Sequence, residues 1–242
     1  PGSTTGRTPP CTLAILDAGI SRVVVAATDP NPEHAGRAFR QLKRKGVKVE
    51  HGLMAEPASE MNVAFNHWIT TGLPFVTVKV AMTLDGKIAT ARGESKWITG
   101  PLARREGMKL RHEADAILVG VNTVLADDPS LTVRDVRRPK AEWHGPELRR
   151  IVLDPRARTP LVAKLLNDEN TPATTLVVSS EAPAKRLAKL DSKCTTMTCR
   201  LAKRGFVLKE LLKKLGIQNV THLLVEGGGE TNAAFFEDCL VL

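Results

Sequence analysis

The hydrophobic pattern of this chain changes period repeatedly, and that alternation constrains the fold more than any other feature. Residues 22–27 form a β-branched run that reads as a strand. The turn Asp29-Pro30-Asn31-Pro32 leads into an amphipathic helix at 33–45, closed by Gly46, and 47–51 is again a strand. Residues 14–19 read as the end of a helix, and 59–70 as a further helix. The break Thr71-Gly72-Leu73-Pro74 predicts a domain boundary, with units at 1–72 and 73–242. Beyond it, strands are predicted at 75–82, 116–121, 150–154, 175–179 and 222–226. Helices are predicted at 102–112, 184–190 and 207–215; Thr99 is placed to cap the first, with Pro101 in its first turn. Strands alternating with helices make this an α/β protein throughout.

Length and composition narrow the function. The 242 residues suit two modest domains or one large one, and 42% apolar with 25% charged residues is ordinary for a chain that buries a core. No apolar run is long enough to span a bilayer, and no basic-then-apolar leader opens the sequence. The expectation is no membrane partner and a cytoplasmic setting, although a removed leader or organelle transit peptide would leave no trace. Cys11, Cys194, Cys199 and Cys239 fall in no paired framework, so free thiols are expected. The net charge of +9 favours anionic partners. Nucleic acid is disfavoured, because aromatic residues are only 4%, Tyr is absent and no nucleic-acid motif occurs. The basic clusters at 37–48 and 203–214 have helical spacing and read as solvated faces. A phosphorylated small molecule fits the same charge.

Three segments carry chemistry. Lys79 to Gly100 reads K-V-A-M-T-L-D-G-K-I-A-T-A-R-G-E-S-K-W-I-T-G. It opens as a strand, breaks at Asp85-Gly86, resumes in the apolar run 87–91, and leaves Ser95, Trp97 and Thr99 beside a helix start. Local spacing alone favours a β-hairpin with a packed indole; the polar loop also suits a ligand-binding edge. The second segment, L-L-V-E-G-G-G-E-T-N from Leu223 to Asn232, is a strand, a glycine turn and a helix start. Such a turn either brings backbone N–H groups to a phosphate or is simply tight. It matches neither the Rossmann nor the Walker pattern. Glu226 and Glu230 are not phosphate ligands, and an acid ending a buried strand is suited to accept hydrogen bonds from sugar hydroxyls or ring N–H groups. The third, Gly120 to Arg134, follows a strand at its carboxyl end, where ligands of open α/β sheets sit. There Asp127 and Asp128 either hold hydroxyls or build an Asx turn. Arg134 can clamp a phosphate through its planar fork, while Arg111 upstream is a second clamp or a surface helix arginine. The basic, Pro-containing stretch 135–147 reads as a surface loop.

Taken together, A-M-T-L-D-G-K-I-A, G-E-S-K-W-I-T-G, L-R-x-x-x-D-A-I-L-V-G, T-V-L-A-D-D-P-x-L-T-x-R and V-E-G-G resemble the reductase half of the bifunctional riboflavin-biosynthesis deaminase–reductase family. Their order and spacing cover most of 75–230. The resemblance implies a dihydrofolate-reductase-like α/β domain and NADPH-dependent reduction of a phosphoribosylamino-pyrimidine to its ribitylamino product. By position, Ser95, Arg111, Leu131, Arg134 and Glu226 match the family's substrate contacts. Ala81, Trp97, Thr123, Asp127, Gly228 and Gly229 match its nicotinamide-cofactor contacts. Lys79, at the strand end, is a candidate catalytic residue that hydrogen-bonds the opening sugar, or is a solvated strand lysine. The resemblance also implies a homodimer made through this domain and further strands after the V-E-G-G helix.

The first eleven residues, P-G-S-T-T-G-R-T-P-P-C, resemble the family's P-C-x-x-x-G-x-T-P-P-C zinc segment. A zinc deaminase needs three protein ligands and a proton-shuttling Glu. Cys11 survives as a residual ligand, Gly2 stands where the first cysteine belongs, and the H-x-E element would lie before Pro1. The expectation is a truncated cytidine-deaminase-like α/β remnant before the reductase domain, with zinc bound only where a longer parent supplies the missing ligands. The apolar close at 235–242 likewise reads as a fragment's end, with C-terminal strands missing. The alternatives are a parent that also deaminates pyrimidines and a non-catalytic nucleotide-binding pseudoenzyme.

Overall fold

Leu42 at the centre of an amphipathic helix is wholly buried, and the first unit is built around it. A computed structural model describes residues 2–5, 9–34, 36–134, 147–203 and 205–241. These form two compact units, Pro1–Leu73 and Pro74–Leu242. In the first, α1 (Cys11–Asp17), β1 (Arg22–Val25), α2 (Arg37–Arg44) and β2 (Lys48–His51) make a parallel two-stranded βαβ arrangement. Ala38, Phe39 and Leu42 of α2 pack on Val47 and Val49, and the Phe39 and His51 rings stack at 4.9 Å.

Two boundaries differ from the sequence expectation, each for a local reason. The second helix begins at Arg37, not at residue 33. Asp29 Oδ1 accepts the Asn31 N–H and Asn31 Oδ1 accepts the Glu33 N–H, so side chains take donors a helix would use. Gly36, left-handed at φ 72°, then turns the chain into the helix. The helix expected at 59–70 is two, α3 (Ala55–Met61) and α4 (Val63–Thr71), divided at Asn62, whose side-chain amide donates to the Ala58 carbonyl.

The second unit is a six-stranded parallel sheet. Its strands are β3 (Phe75–Val78), β4 (Ala116–Gly120), β5 (Arg149–Leu153), β6 (Thr174–Val178), β7 (Thr195–Thr198) and, after the small ribbon β8 (Leu201–Ala202) and β9 (Gly205–Phe206), β10 (His222–Val225). Their order is β3-β10-β4-β5-β6-β7. Helices α5 (Pro101–Glu113), α6 (Val121–Asp127), α7 (Ala184–Asp191), α8 (Leu208–Ile217) and α9 (Gly229–Glu237) connect or follow them. Ile117, Leu118, Val119, Val152, Leu176, Val177, Leu223, Leu224 and Val225 are fully buried, as expected for strands covered on both faces. No helix among the described residues is long and apolar enough to cross a membrane.

Several elements differ here too. β3 stops at Val78 because Lys79 N–H makes the last bond to the neighbouring strand, at the Val225 carbonyl, 2.9 Å away. The Asp85-Gly86 turn forms, but 87–91 is no return strand. Thr83 Oγ1 accepts the Lys87 N–H and Thr90 Oγ1 accepts the Glu94 N–H, so two successive threonine-anchored turns replace a hairpin. Thr99 does not cap α5; the capping position is Gly100, and the Thr99 carbonyl accepts from Arg104. The first half of the Gly120–Arg134 segment after β4 is helical, as α6. Of the stretch 135–147 expected as a basic loop, all but Glu147 lies outside the described residues.

Arg150 is the unexpected member of the core, at 1% exposure. It donates to both Asp168 oxygens at 2.6 and 2.8 Å, to Thr174 Oγ1, and to the carbonyls of Leu165 and Ser130. A buried guanidinium is tolerated when its donors are satisfied in this way. The Arg150 hydrogen bonds hold the Asp168 carboxyl below its usual range, against the opposing effect of burial.

Candidate functional site

Three parallel strands, β3, β10 and β4, end side by side, and a cavity of about 470 Å³ opens at their carboxyl ends. At its floor lies Glu226, the residue after β10, with 9% of its side chain exposed. Arg111 of α5 grips both carboxylate oxygens, Nε to Oε1 at 2.7 Å and Nη2 to Oε2 at 2.9 Å, and its Nη1 donates to the Thr132 carbonyl. Lys79 Nζ lies 3.5 Å from Glu226 Oε2. Burial alone would raise the Glu226 carboxyl; the hydrogen bonds and charge of Arg111, with Lys79 added, outweigh it and hold the group below its usual range. Arg111 is therefore neither a surface arginine nor an open phosphate clamp, but a partner of Glu226.

The loop after β3 forms one wall, with Ala81, Ser95 and Trp97 facing the cavity. The indole is not packed into a hairpin. It is 72% exposed, and the Arg104 guanidinium lies 4.4 Å from its ring centroid. One face thus stays available for a planar ligand. The opposite wall comes from α6 and the loop after it, with Thr123, Asp127, Leu131 and Arg134. The two aspartates divide. Both line the cavity, but Asp127 pairs with Lys96 at 2.9 Å, whereas Asp128 ends α6 in the left-handed region and accepts the Lys164 N–H at 2.9 Å. Leu131, left-handed at φ 51°, lines the cavity and also belongs to the core cluster. Arg134 is exposed at the mouth.

The glycine turn has two tasks. A Cβ on Gly227 would sit 2.5 Å from Thr231 Cβ, and one on Gly120 would sit 2.6 Å from Thr231 Oγ1, so both admit the Thr231 side chain between the ends of β4 and β10. Gly228 and Gly229 instead start α9, whose first N–H groups have no partner within the helix. Gly228 lines the cavity, whereas Gly229 lines a second, smaller one. Sequence reasoning missed Asn232, one turn into α9. It is 7% exposed, it lines the cavity, and its Oδ1 has no hydrogen-bond partner. Its place on the inner face of a helix opened by glycines was the available signal.

Cys11 is exposed at the first position of α1, and no group of three His, Cys, Asp or Glu positioned for a metal occurs among the described residues.

Residues 74–241 match the model of the RibD C-terminal domain. The chain belongs to the RibD family. It is 45% identical over 233 residues to the riboflavin biosynthesis protein RibD of Aquifex aeolicus, with 96% of this chain and 62% of that protein covered. Among solved structures, Acinetobacter baumannii RibD superposes with a TM-score of 0.86 at 36% identity, over 100% of this chain and 64% of that one. The Thermotoga maritima protein described as a diaminohydroxyphosphoribosylaminopyrimidine deaminase/5-amino-6-(5-phosphoribosylamino)uracil reductase gives 0.78 at 32% identity, over 98% and 62%. The chain thus spans less than two thirds of the length of these RibD relatives.

Proposed function

We propose that this chain carries the pyrimidine-reducing site of a RibD protein, and that it catalyses NADPH-dependent reduction of 5-amino-6-(5-phosphoribosylamino)uracil at the ribosyl C1′. The observation that carries the reading is the buried Glu226 carboxylate, gripped by Arg111 and flanked by Lys79, in a cavity that the exposed Trp97 ring also lines. An ionised, desolvated carboxylate fixed in this way accepts hydrogen bonds from a pyrimidine ring N–H or a ribose hydroxyl with little reorganisation. Arg134 at the mouth suits the 5′-phosphate, and the net charge of +9 draws in anions.

The residues fit a reduced nicotinamide dinucleotide. The N-terminus of α9 faces the cleft through Gly228, and Asn232 Oδ1 is an unpartnered acceptor suited to a carboxamide N–H₂. When bound, the dinucleotide supplies the hydride. The chain's own residues have three tasks: Glu226 and Arg134 orient the substrate, the Trp97 wall excludes water from the ring-opened imine, and Lys79 Nζ donates a hydrogen bond to the sugar ring oxygen as the C1′–O bond breaks.

The residues do not fit a catalytic zinc ion. Cys11 has no companion ligands among the described residues, and we derive no deamination step. Residues 1–72 are on this reading part of a cytidine-deaminase-like unit.

The test is NADPH oxidation by the chain with the ribosylamino-pyrimidine phosphate, together with a Lys79→Ala variant. Turnover is expected in the parent chain, and the variant should lose kcat by about 10²-fold or more while NADPH affinity changes little. Binding of both molecules without turnover would replace this reading with a non-catalytic nucleotide-binding role.

A further inference from the structure

A second cavity of about 270 Å³ lies beyond the first, and Thr123 and Gly228 line both. A Cβ on Gly228 would come within 3.7 Å of Thr123 Oγ1, so one threonine and one glycine make the ridge between the two spaces. The N-terminus of α9 stands at that ridge. Two cavities joined across a helix N-terminus suit a ligand with two ring systems linked by a pyrophosphate.

Arg158 belongs to the second cavity, and the fold fixes it there. Its backbone N–H donates to Asp154 Oδ1 at 2.8 Å, and the other Asp154 oxygen accepts from the Thr159 N–H and hydroxyl, both at 2.7 Å. Asp154 and Thr159 are fully buried, and Ala157 between them is left-handed at φ 55°. The chain after β5 is thereby bent so that the side chain of Arg158 returns over the cavity. Arg158 Nη2 donates to Asn122 Oδ1 at 2.7 Å, and Asn122 Nδ2 donates to Glu230 Oε2 at 3.1 Å. Asn122 therefore holds a guanidinium and a carboxylate in the same small space. The carboxylate suits a ribose hydroxyl, and the guanidinium suits a phosphate monoester.

We propose that Arg158 is the residue that reads the ribose 2′-phosphate of the dinucleotide, and so sets preference for NADPH over NADH. The inference rests on the reductase reading above and goes beyond it, because the first cavity alone treats the two dinucleotides alike. The Arg158–Asn122–Glu230 row explains how this is done without a Rossmann fold: the arginine takes the extra phosphate, while Glu230, held on the far side of Asn122, keeps to the hydroxyls.

Calorimetric titration of the whole chain with NADPH and with NADH tests this directly. Wild type is expected to bind NADPH at least about tenfold more tightly, the scale of one charge-assisted contact. Arg158→Ala should raise the Kd for NADPH at least about tenfold and leave that for NADH within about threefold; Arg158→Lys should recover part of the loss. Equal loss for both dinucleotides, or no change for either, overturns the assignment and leaves the reductase reading standing. Wild type that binds neither dinucleotide overturns both. Should the alanine variant fail to fold, displacement from wild type decides: adenosine 2′,5′-bisphosphate must compete at least about tenfold better than adenosine 5′-monophosphate, and equal competition ends the proposal.

Discussion

Glu226 holds its charge in a place where burial alone would push its carboxyl upward, and the compensation comes from two side chains reached from different elements. Removing that charge leaves Arg111 facing a neutral amide inside the cleft. Glu226→Gln should therefore cost about 3–5 kcal/mol of stability at neutral pH, the range for breaking a buried pair, measured by urea denaturation. The pH dependence follows from the sign of the shift. The folded carboxyl sits below its ordinary value of 4.5, so its contribution is complete above that value and is lost as pH falls through the lower folded one. Wild type and variant should converge in stability as the pH drops below the usual carboxylate range. A constant gap between them at every pH would show that Glu226 acts by packing alone. Asp168 beside Arg150 is shifted in the same direction, so the variant retains some acid sensitivity after Glu226 is replaced.

At the scale of elements, the meeting of β4, β10 and α9 depends on Thr231 fitting between two glycines. Gly120→Ala places a methyl against Thr231 Oγ1 alone, its next contact being Thr231 Cβ at 3.9 Å. Gly227→Ala places one against Thr231 Cβ and Cγ2 at 2.5 and 2.6 Å. Each single variant should lose about 1–3 kcal/mol through overpacking. Adding Thr231→Ala should restore most of the Gly120→Ala loss and little of the Gly227→Ala loss, because the Thr231 Cβ remains. Thermal unfolding of the two double variants checks the asymmetry, and equal rescue would contradict it.

The same elements show what the sequence disclosed. Short apolar runs were enough to find seven of the strands, most plainly β4, β5, β6 and β10, where burial on both faces leaves little other composition. Helix starts and strand ends were less legible. They turn on side chains such as Asn31, Thr83 and Thr90, which capture backbone donors that the periodicity assigns to a helix or a ladder. Ten of the eleven residues matched by resemblance in the second unit line one cavity, joined there by Lys79, and Gly229 lines its neighbour. Asn232 and Arg158 escaped notice for a different reason. The first depends on helix phase, and the second on a left-handed turn at Ala157 that no residue type announces.

At the scale of the whole molecule, the cleft draws on residues from 79 to 232, so occupying it should stabilise nearly the whole second unit at once. NADPH at about 100 times its Kd should add about 2.7 kcal/mol to the unfolding free energy of that unit. Calorimetry should show this as an upward shift of the transition in which the sheet melts, and no shift at saturating NADPH would sink the cofactor assignment.

The position of β10 bears on how the molecule comes to exist. It lies between β3 and β4, with Leu224 beside both Thr77 and Ile117, yet it follows the other five strands in the chain. Until β10 emerges from the ribosome, β3 has no partner in the sheet and β4 has only β5. The sheet cannot be assembled by growth from one edge; it must be closed by a late strand inserted at its centre. Such non-local pairing folds slowly and leaves apolar edges open to other nascent chains in the meantime. The strand that leads into Glu226 is thus also the step that commits the chain, and the acid that defines the cleft is delivered by the same event that completes the sheet.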